Sequence, residues 1–351
     1  MLLEQNKPLA PLTTLGVGGP ARWFMQAASE AEIVEAVAWA HDKNVPLFVL
    51  GGGSNLLVSD AGFKGLAMRV GLKGIERRDE GDCAVYRIAA GEDWDRFVHR
   101  AVNDGCAGVE CLAGIPGTVG GTPVQNVGAY GQEVSNCIDK VRAYDLSAFI
   151  FVEFSAAECR FAYRRSRFNT VDRGRYVVTR VDYRLKLGAA PTIAYRDLQR
   201  EFTGKSNPSL LEVADAVRRI RRSKGMLLTE GDPDNRSAGS FFKNPIVSEE
   251  QAQAIGRTAG QEPPKFPAGD GSRRVKLAAA WLIEQAGFSK GYVRGAAGIS
   301  SRHTLALVNR GSATAAEILT LANEIASKVE ERFGVRLERE PVLLGFEDEP
   351  A

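Results

Sequence analysis

Residues 45–55 read Val45-Pro46-Leu47-Phe48-Val49-Leu50-Gly51-Gly52-Gly53-Ser54-Asn55, an apolar run that enters directly into three glycines. The apolar half predicts a buried strand over 45–50. The glycines allow a sharp turn and let backbone N–H groups approach a phosphate with no Cβ in the way. The dinucleotide fingerprint GxGxxG is not met, because Leu56 stands where the third glycine falls, and no βαβ unit follows. A Rossmann domain is therefore a poor reading. Taken alone, the segment fits a ligand-free glycine turn as well as a phosphate loop.

A second region changes that balance. Gly114-Ile115-Pro116-Gly117-Thr118-Val119-Gly120-Gly121 is followed by Gln125-Asn126-Val127-Gly128-Ala129-Tyr130-Gly131. Two stretches rich in Gly, Asn, Thr and Gln can wrap one large polar ligand. Backbone N–H groups would hold a pyrophosphate and amide side chains the edges of a ring.

Around these loops the chain alternates short strands with a few helices. Ser29-Glu30-Ala31-Glu32 forms a capping box, and the helix it opens puts Ile33, Val34, Val37 and Ala38 on one face and ends near Asn44, before Pro46. Residues 176–187 (YVVTRVDYRLKL) predict a half-buried strand. Val177, Thr179, Val181, Tyr183, Leu185 and Leu187 share one face, and Arg180, Asp182, Arg184 and Lys186 the other. Composition changes near residue 190, with a turn at 188–191 and a hinge at 205–208. A second capping box, Ser209 to Glu212, opens a helix carrying Arg218, Arg219, Arg221 and Arg222. A third, Thr314 to Glu317, opens a long helix ending near Phe333 and Gly334. The expected organisation is α+β, an N-terminal part over 1–200 and a smaller α+β part over 201–351.

Composition narrows the function. The chain has 351 residues, 44% of them apolar, and a formal net charge of +2, too small to imply a nucleic-acid partner. The cysteines Cys83, Cys106, Cys111, Cys137 and Cys159 form no CxxC pair and read as reduced thiols. Three histidines, His41, His99 and His303, form no ligand cluster, so neither structural nor catalytic zinc is expected. The first ten residues do not read as a signal peptide, and no apolar stretch is long enough to span a bilayer. A cytoplasmic protein acting on small molecules, without a membrane or nucleic-acid partner, is the expectation.

The combined motifs resemble the UDP-N-acetylenolpyruvoylglucosamine reductases, within the wider flavoprotein group typified by vanillyl-alcohol oxidase. The resemblance rests on GGGSN after a strand, on GIPGTVGGTPVQNVGAYGQE, and on three more stretches. These are Phe161-Ala162-Tyr163-Arg164-Arg165-Ser166-Arg167-Phe168, Ser237-Ala238-Gly239-Ser240-Phe241-Phe242-Lys243-Asn244-Pro245 and Leu337-Glu338-Arg339-Glu340. Residues 276–285 (KLAAAWLIEQ) fit as well, and the match runs from about Leu12 to Gly345. It implies a two-part FAD-binding domain of the vanillyl-alcohol-oxidase type and a smaller α+β substrate domain, with the segment near 337–346 returning to the active site. By the resemblance, Leu50, Gly51, Gly52, Gly53, Ser54 and Asn55 contact the FAD pyrophosphate. Gly114, Ile115, Pro116, Gly117, Gly120, Gln125, Asn126, Gly128, Ala129 and Tyr130 line the rest of the cofactor. Neither motif holds His or Cys, so the FAD is expected to be non-covalent.

The family reduces an enolpyruvyl ether: hydride passes from flavin N5 to the vinyl carbon, and charge builds on the neighbouring carbon and its carboxylate. The resemblance assigns Arg164 to hold that carboxylate, Glu340 to orient the arginine or relay a proton, and Ser240 to protonate carbon. A guanidinium suits the first task because it is always charged and grips carboxylates bidentately. A serine hydroxyl is a weak acid and needs neighbours that stabilise its alkoxide. Tyr195 resembles a loop tyrosine that closes over UDP, and the family takes electrons from NADPH bound at the same site in turn; a monomer is expected. Asn244 and Gln285 match residues that hold the nucleotide sugar, Lys224 and Lys276 are expected to neutralise its diphosphate, and Tyr163 is expected among the substrate-binding residues.

Singly, each residue has a blander reading. Arg164 fits a surface ion pair, Ser240 a turn or N-cap, Glu340 a solvated terminal charge. Two further readings stay open: a flavin oxidase passing electrons to oxygen, and a non-catalytic nucleotide-sugar sensor. Pro341 departs from the family pattern, which has valine there, and raises the question of a local backbone shift.

Overall fold

Ser29 opens the first helix, Glu30–Asp42, by accepting the Glu32 N–H at 3.2 Å. The returning half of the box differs from expectation: Glu32 accepts the N–H of Ala28, at 2.6 Å, instead of that of Ser29. The buried face is Ile33, Ala36, Val37 and Ala40, whereas Ala38 is exposed and Val34 half-buried. That set follows the i, i+3, i+4, i+7 rule once the alanines are counted as core residues. In this computed structural model the described residues are 1–269 and 271–346; the parts of the expected 201–351 division at 270 and 347–351 lie outside them.

The helix crosses between strands of a four-stranded sheet ordered Glu4–Pro8, Pro20–Ala27, Phe63–Val70, Leu47–Leu50. Phe63–Val70 pairs in parallel with both Pro20–Ala27 and Leu47–Leu50, as a helical crossover requires. The strand expected over 45–50 begins only at Leu47, and of its residues only Leu50 is fully buried. Pro46 lacks an N–H to give the ladder, although its carbonyl accepts the N–H of Leu66 at 2.8 Å.

A second, antiparallel sheet has Tyr176–Leu187 at its centre, between Ile138–Asp145 and Cys83–Ala89. The expected alternation holds at Arg184 and Lys186, which are exposed. Val178 and Asp182 are buried, so the first half of this strand is covered on both faces. Asp182 tolerates burial because Arg180 Nε donates to it at 2.7 Å.

Helices Trp94–Asn103 and Leu210–Ser223 close one side of this sheet. The latter starts from a complete Ser209–Glu212 capping box. Its Val213, Ala214, Ala216 and Val217 belong to the first core, so packing of the N-terminal part continues through Ile220. A second core forms around helix Ala315–Phe333, which begins with the expected Thr314–Glu317 box and ends at Gly334 in the left-handed region. It lies against the sheet of Ser237–Ser240, Ala306–Asn309, Ala297–Ile299 and Val293–Arg294. Leu15, Val17 and Leu57 also enter this second core, so the two parts share a hydrophobic seam. The strand Val342–Leu344 lies parallel to Leu56–Val58, directly after the first glycine loop.

Candidate active site

The two glycine loops touch. A Cβ on Gly52 would lie 2.6 Å from the Gly117 Cα, and one on Gly53, at φ +67°, would lie 1.9 Å from the Leu12 carbonyl oxygen. Ser54 Oγ donates to the Pro116 carbonyl at 3.0 Å. Gly120 is likewise held against Ala90, whose Cβ would be 2.6 Å from an added Cβ. These glycines are thus needed for protein-on-protein packing, a reason distinct from the ligand access that the sequence suggested. Beneath them Leu50 is buried, and Ile115 packs on the first core.

The N–H groups of Gly52, Gly53, Ser54 and Asn55 have no acceptor among the described residues. A run of successive backbone donors that the protein leaves unused is a cradle for an anion. The residues present therefore fit the pyrophosphate of FAD.

The amides nearby behave unequally. Asn55 Nδ2 donates to Gln125 Oε1 at 2.6 Å and to the Glu340 carbonyl at 3.1 Å. Asn126, at φ +47° and buried, spends both amide hydrogens inside the protein, on Glu133 Oε2 at 2.8 Å and the Ala162 carbonyl at 3.0 Å. Its Oδ1 accepts the Ser135 N–H. The amide of Asn126 is a brace, so the expected contact of this side chain with a ring edge is not available to its donors. Gly128 and Ala129 pair with Gln132 and Glu133 in a tight hairpin that places Tyr130 at φ +49°.

Arg164 sits at φ +55°, a conformation that a non-glycine residue adopts only when its surroundings hold it there. They do: Nη2 donates to the Gly128 carbonyl at 2.6 Å, and Nε lies 3.3 Å from Glu340 Oε1. The two side chains are only 19% and 14% exposed. Burial pushes Glu340 above the usual carboxylate range, against the pull of Arg164 and Lys243. Two residues earlier, Glu338 goes the other way. Lys243 and Arg165 outweigh its burial and hold it low.

Backbone pairing brings Ser240 to this group. The Glu340 N–H donates to the Phe241 carbonyl at 2.9 Å and the Lys243 N–H to the Glu338 carbonyl at 2.9 Å. Ser240 thus ends its strand one residue before the segment clamped to Glu340, and its hydroxyl has no hydrogen-bond partner among the described residues. Pro341 causes no shift there, because the bonded N–H groups belong to Glu340 and Val342, the latter donating to the Asn55 carbonyl at 3.0 Å. A proline fits the alternate, unbonded position.

Tyr163 carries Lys276 Nζ at 4.1 Å from its ring centroid, and its hydroxyl accepts the Asn244 N–H at 3.4 Å. Burial lowers Lys276 from the ordinary ammonium range; Arg164 adds to this and Glu133 opposes it. Asn244 Oδ1 takes the first N–H of helix Ala279–Gln285, at 2.9 Å from Ala279 N. A second group stands beside Tyr130. Its ring meets Tyr195 edge-on, centroids 5.4 Å apart, and Lys224 Nζ lies 5.7 Å from Tyr130 and 5.9 Å from Tyr195. Burial of Lys224 is outweighed by Asp197, 2.6 Å away, so its ammonium is held above the usual range. Among the described residues Gln285 is not drawn into either group by a hydrogen bond; its carbonyl accepts from Arg332 of the long helix.

The sequence reading gave no role to Glu133, Lys243 and Glu110, which brace these groups: Glu133 through nearby Asn126, Lys243 through Glu338 and Glu110 through Gln132 and Thr192. Glu133 and Lys243 carried a signal, the first at the end of the second glycine motif and the second inside the stretch 237–245; Glu110 carried none.

Comparison with known proteins identifies the family. Residues 21–147 match the family described as FAD binding domain, and residues 232–344 the UDP-N-acetylenolpyruvoylglucosamine reductase C-terminal domain. The chain is 49% identical to the UDP-N-acetylenolpyruvoylglucosamine reductase of Thermobifida fusca, over 97% of this chain and 98% of the relative. With that of Streptomyces coelicolor it shares 48% identity, over 97% and 90%. Among solved structures, the reductase of Thermus caldophilus superposes with a TM-score of 0.65 at 28% identity, covering 98% of this chain and 99% of that one. The fold is accordingly α+β, an FAD-binding part followed by a smaller C-terminal part. The chain belongs to the UDP-N-acetylenolpyruvoylglucosamine reductases, FAD-dependent oxidoreductases of peptidoglycan synthesis.

Proposed function

We propose that the Arg164–Glu340–Ser240 group is the reaction centre at which this chain converts UDP-N-acetylglucosamine enolpyruvate to UDP-N-acetylmuramate, with NADPH as reductant. The observation that carries the assignment is the ion pair of Arg164 with Glu340, Nε to Oε1 3.3 Å, whose glutamate N–H donates to the carbonyl of Phe241, the residue after Ser240, at 2.9 Å. FAD, when bound, supplies the hydride chemistry, and residues 52–55 would hold its pyrophosphate without a covalent link. Arg164 grips the substrate carboxylate as negative charge develops on it, and preorganised positive charge lowers the barrier at that moment. Glu340 fixes the guanidinium. Ser240 gives its proton to carbon, which requires that neighbouring positive charge stabilise the oxygen left behind. Lys276 and Lys224, with Tyr163, Tyr195, Asn244 and Gln285, hold the nucleotide sugar. The oxidase alternative makes no use of a serine donor beside a carboxylate clamp.

The same reading assigns FAD binding to residues 1–200 and substrate binding to 201–351, with helix Leu210–Ser223 packed on the former. It also makes the protein a cytoplasmic monomer. Among the described residues no helix is long and apolar enough to cross a membrane. The test is anaerobic. NADPH should bleach the flavin band, and UDP-N-acetylglucosamine enolpyruvate should then restore it. Restoration only on admission of air would favour an oxidase.

A further inference from the structure

Glu110 is fully buried, at 0% exposure, and takes part in no ion pair among the described residues. A buried carboxyl without a cation persists only if hydrogen bonds replace its water. Here three N–H groups do so, from three separate segments. Gly108 N donates to Oε2 at 2.7 Å, while Gln132 Nε2 at 2.8 Å and Thr192 N at 2.9 Å share Oε1. A return path closes the network: Cys111 N donates to Gln132 Oε1 at 2.8 Å, and Cys111 Sγ to the Thr192 carbonyl at 3.2 Å. Thr192 is therefore gripped at both its N–H and its carbonyl.

The segments joined at Oε1 are those that carry the two site tyrosines. Gln132 follows Tyr130 in the hairpin, and Thr192 leads into Tyr195, the N-cap of helix Arg196–Glu201. Between them the loops lie in contact, since a Cβ on Gly131 would be 3.2 Å from the Ala194 Cβ. Tyr195 is 37% exposed, so its own packing does not fix it. We propose that Glu110 is a positioning residue: through Gln132 and Thr192 it seats the Tyr195 loop against Tyr130 and so sets how tightly the nucleotide end of the substrate is held. This rests on the assignment of Tyr195 to substrate binding made above.

Glu110→Gln tests it. The amide keeps the shape but presents N–H to N–H, either at Gly108 or at the Gln132–Thr192 pair. KM for the enolpyruvyl nucleotide should rise about ten-fold, the loss expected for one hydrogen bond to a charged group. The turnover number and the bound flavin should be little changed. In a Tyr195→Ala background the same substitution should add no further rise in KM, and in both backgrounds amide exchange around Thr192 should quicken. Equal KM effects with and without Tyr195, or unchanged exchange at Thr192, would overturn the proposal. If Glu110→Gln does not fold, Glu110→Asp, too short to reach all three donors, goes through the same measurements. If Tyr195→Ala alone leaves KM unchanged, the substrate role of Tyr195 falls, and exchange at Thr192 decides the anchor by itself.

Discussion

Arg164 and Glu340 form an ion pair with Nε 3.3 Å from Oε1, and the backbones on both sides hold it in place. The arginine is fixed by its left-handed φ of +55° and by the Gly128 carbonyl. The glutamate is fixed by its N–H on Phe241 and by its carbonyl on Asn55. Neither side chain has to search for its place when substrate arrives, and such preorganisation is what electrostatic catalysis requires.

Arg164→Lys keeps a positive charge but loses the planar fork that meets Glu340 and Gly128 together. We expect kcat/KM to fall by about 10²–10³, the range for losing one preorganised donor, with the flavin spectrum unaltered. Steady-state kinetics beside an absorbance scan of the purified variant check both parts.

Glu340 is held above the usual carboxylate range by burial, so it takes up a proton at a higher pH than an exposed glutamate. As pH falls through that raised value the ion pair with Arg164 is lost, and kcat should fall on the acid side. Glu340→Gln should cut kcat by about 10²–10⁴ and remove that acid limb from what activity remains. A limb that persists unchanged would assign it to another group.

Gly52→Ala drives a Cβ to 2.6 Å from the Gly117 backbone, which cannot yield as a side chain would. Separation of the two loops should cost about 1–3 kcal/mol and lower the flavin-to-protein ratio after gel filtration. Gly121, with nothing within 4 Å of an added Cβ, is the control, and Gly121→Ala should retain flavin.

His303 is pushed down to about 4, first by burial and then by the charges of Lys224, Lys290 and Arg221. Its stabilising contribution is complete above its unfolded value near 6.5 and is lost as pH falls toward about 4, because the unfolded chain takes up the proton first. The loss is at most about 3 kcal/mol. Urea unfolding at pH 7 and pH 5 should show it in the parent and not in His303→Gln.

What was legible in the sequence was local. The Ser209–Glu212 and Thr314–Glu317 boxes start helices where the residues say, and 176–187 is the strand its alternation indicates. The first glycine region is read as a loop and is one, while the second also holds a short 3-10 turn at Val119–Gly121 and the hairpin strand Gly128–Ala129. Their mutual contact was not legible, because the partner of Gly52 is Gly117 and nothing local marks it. The same holds for Glu110, whose partners Gln132 and Thr192 lie 22 and 82 residues further along the chain. The buried half of strand Tyr176–Leu187 and the return of Val342–Leu344 to Leu56–Val58 likewise depend on pairings far apart in sequence.

The most direct test of the account separates the two half-reactions in Ser240→Ala. The variant is reduced anaerobically with NADPH and then mixed rapidly with UDP-N-acetylglucosamine enolpyruvate while flavin absorbance is followed. If Ser240 is the proton donor, bleaching proceeds at the parent's rate and return of the oxidised band slows by about 10²–10⁴. Return of the band at the parent's rate, or equal slowing of both phases, would contradict it.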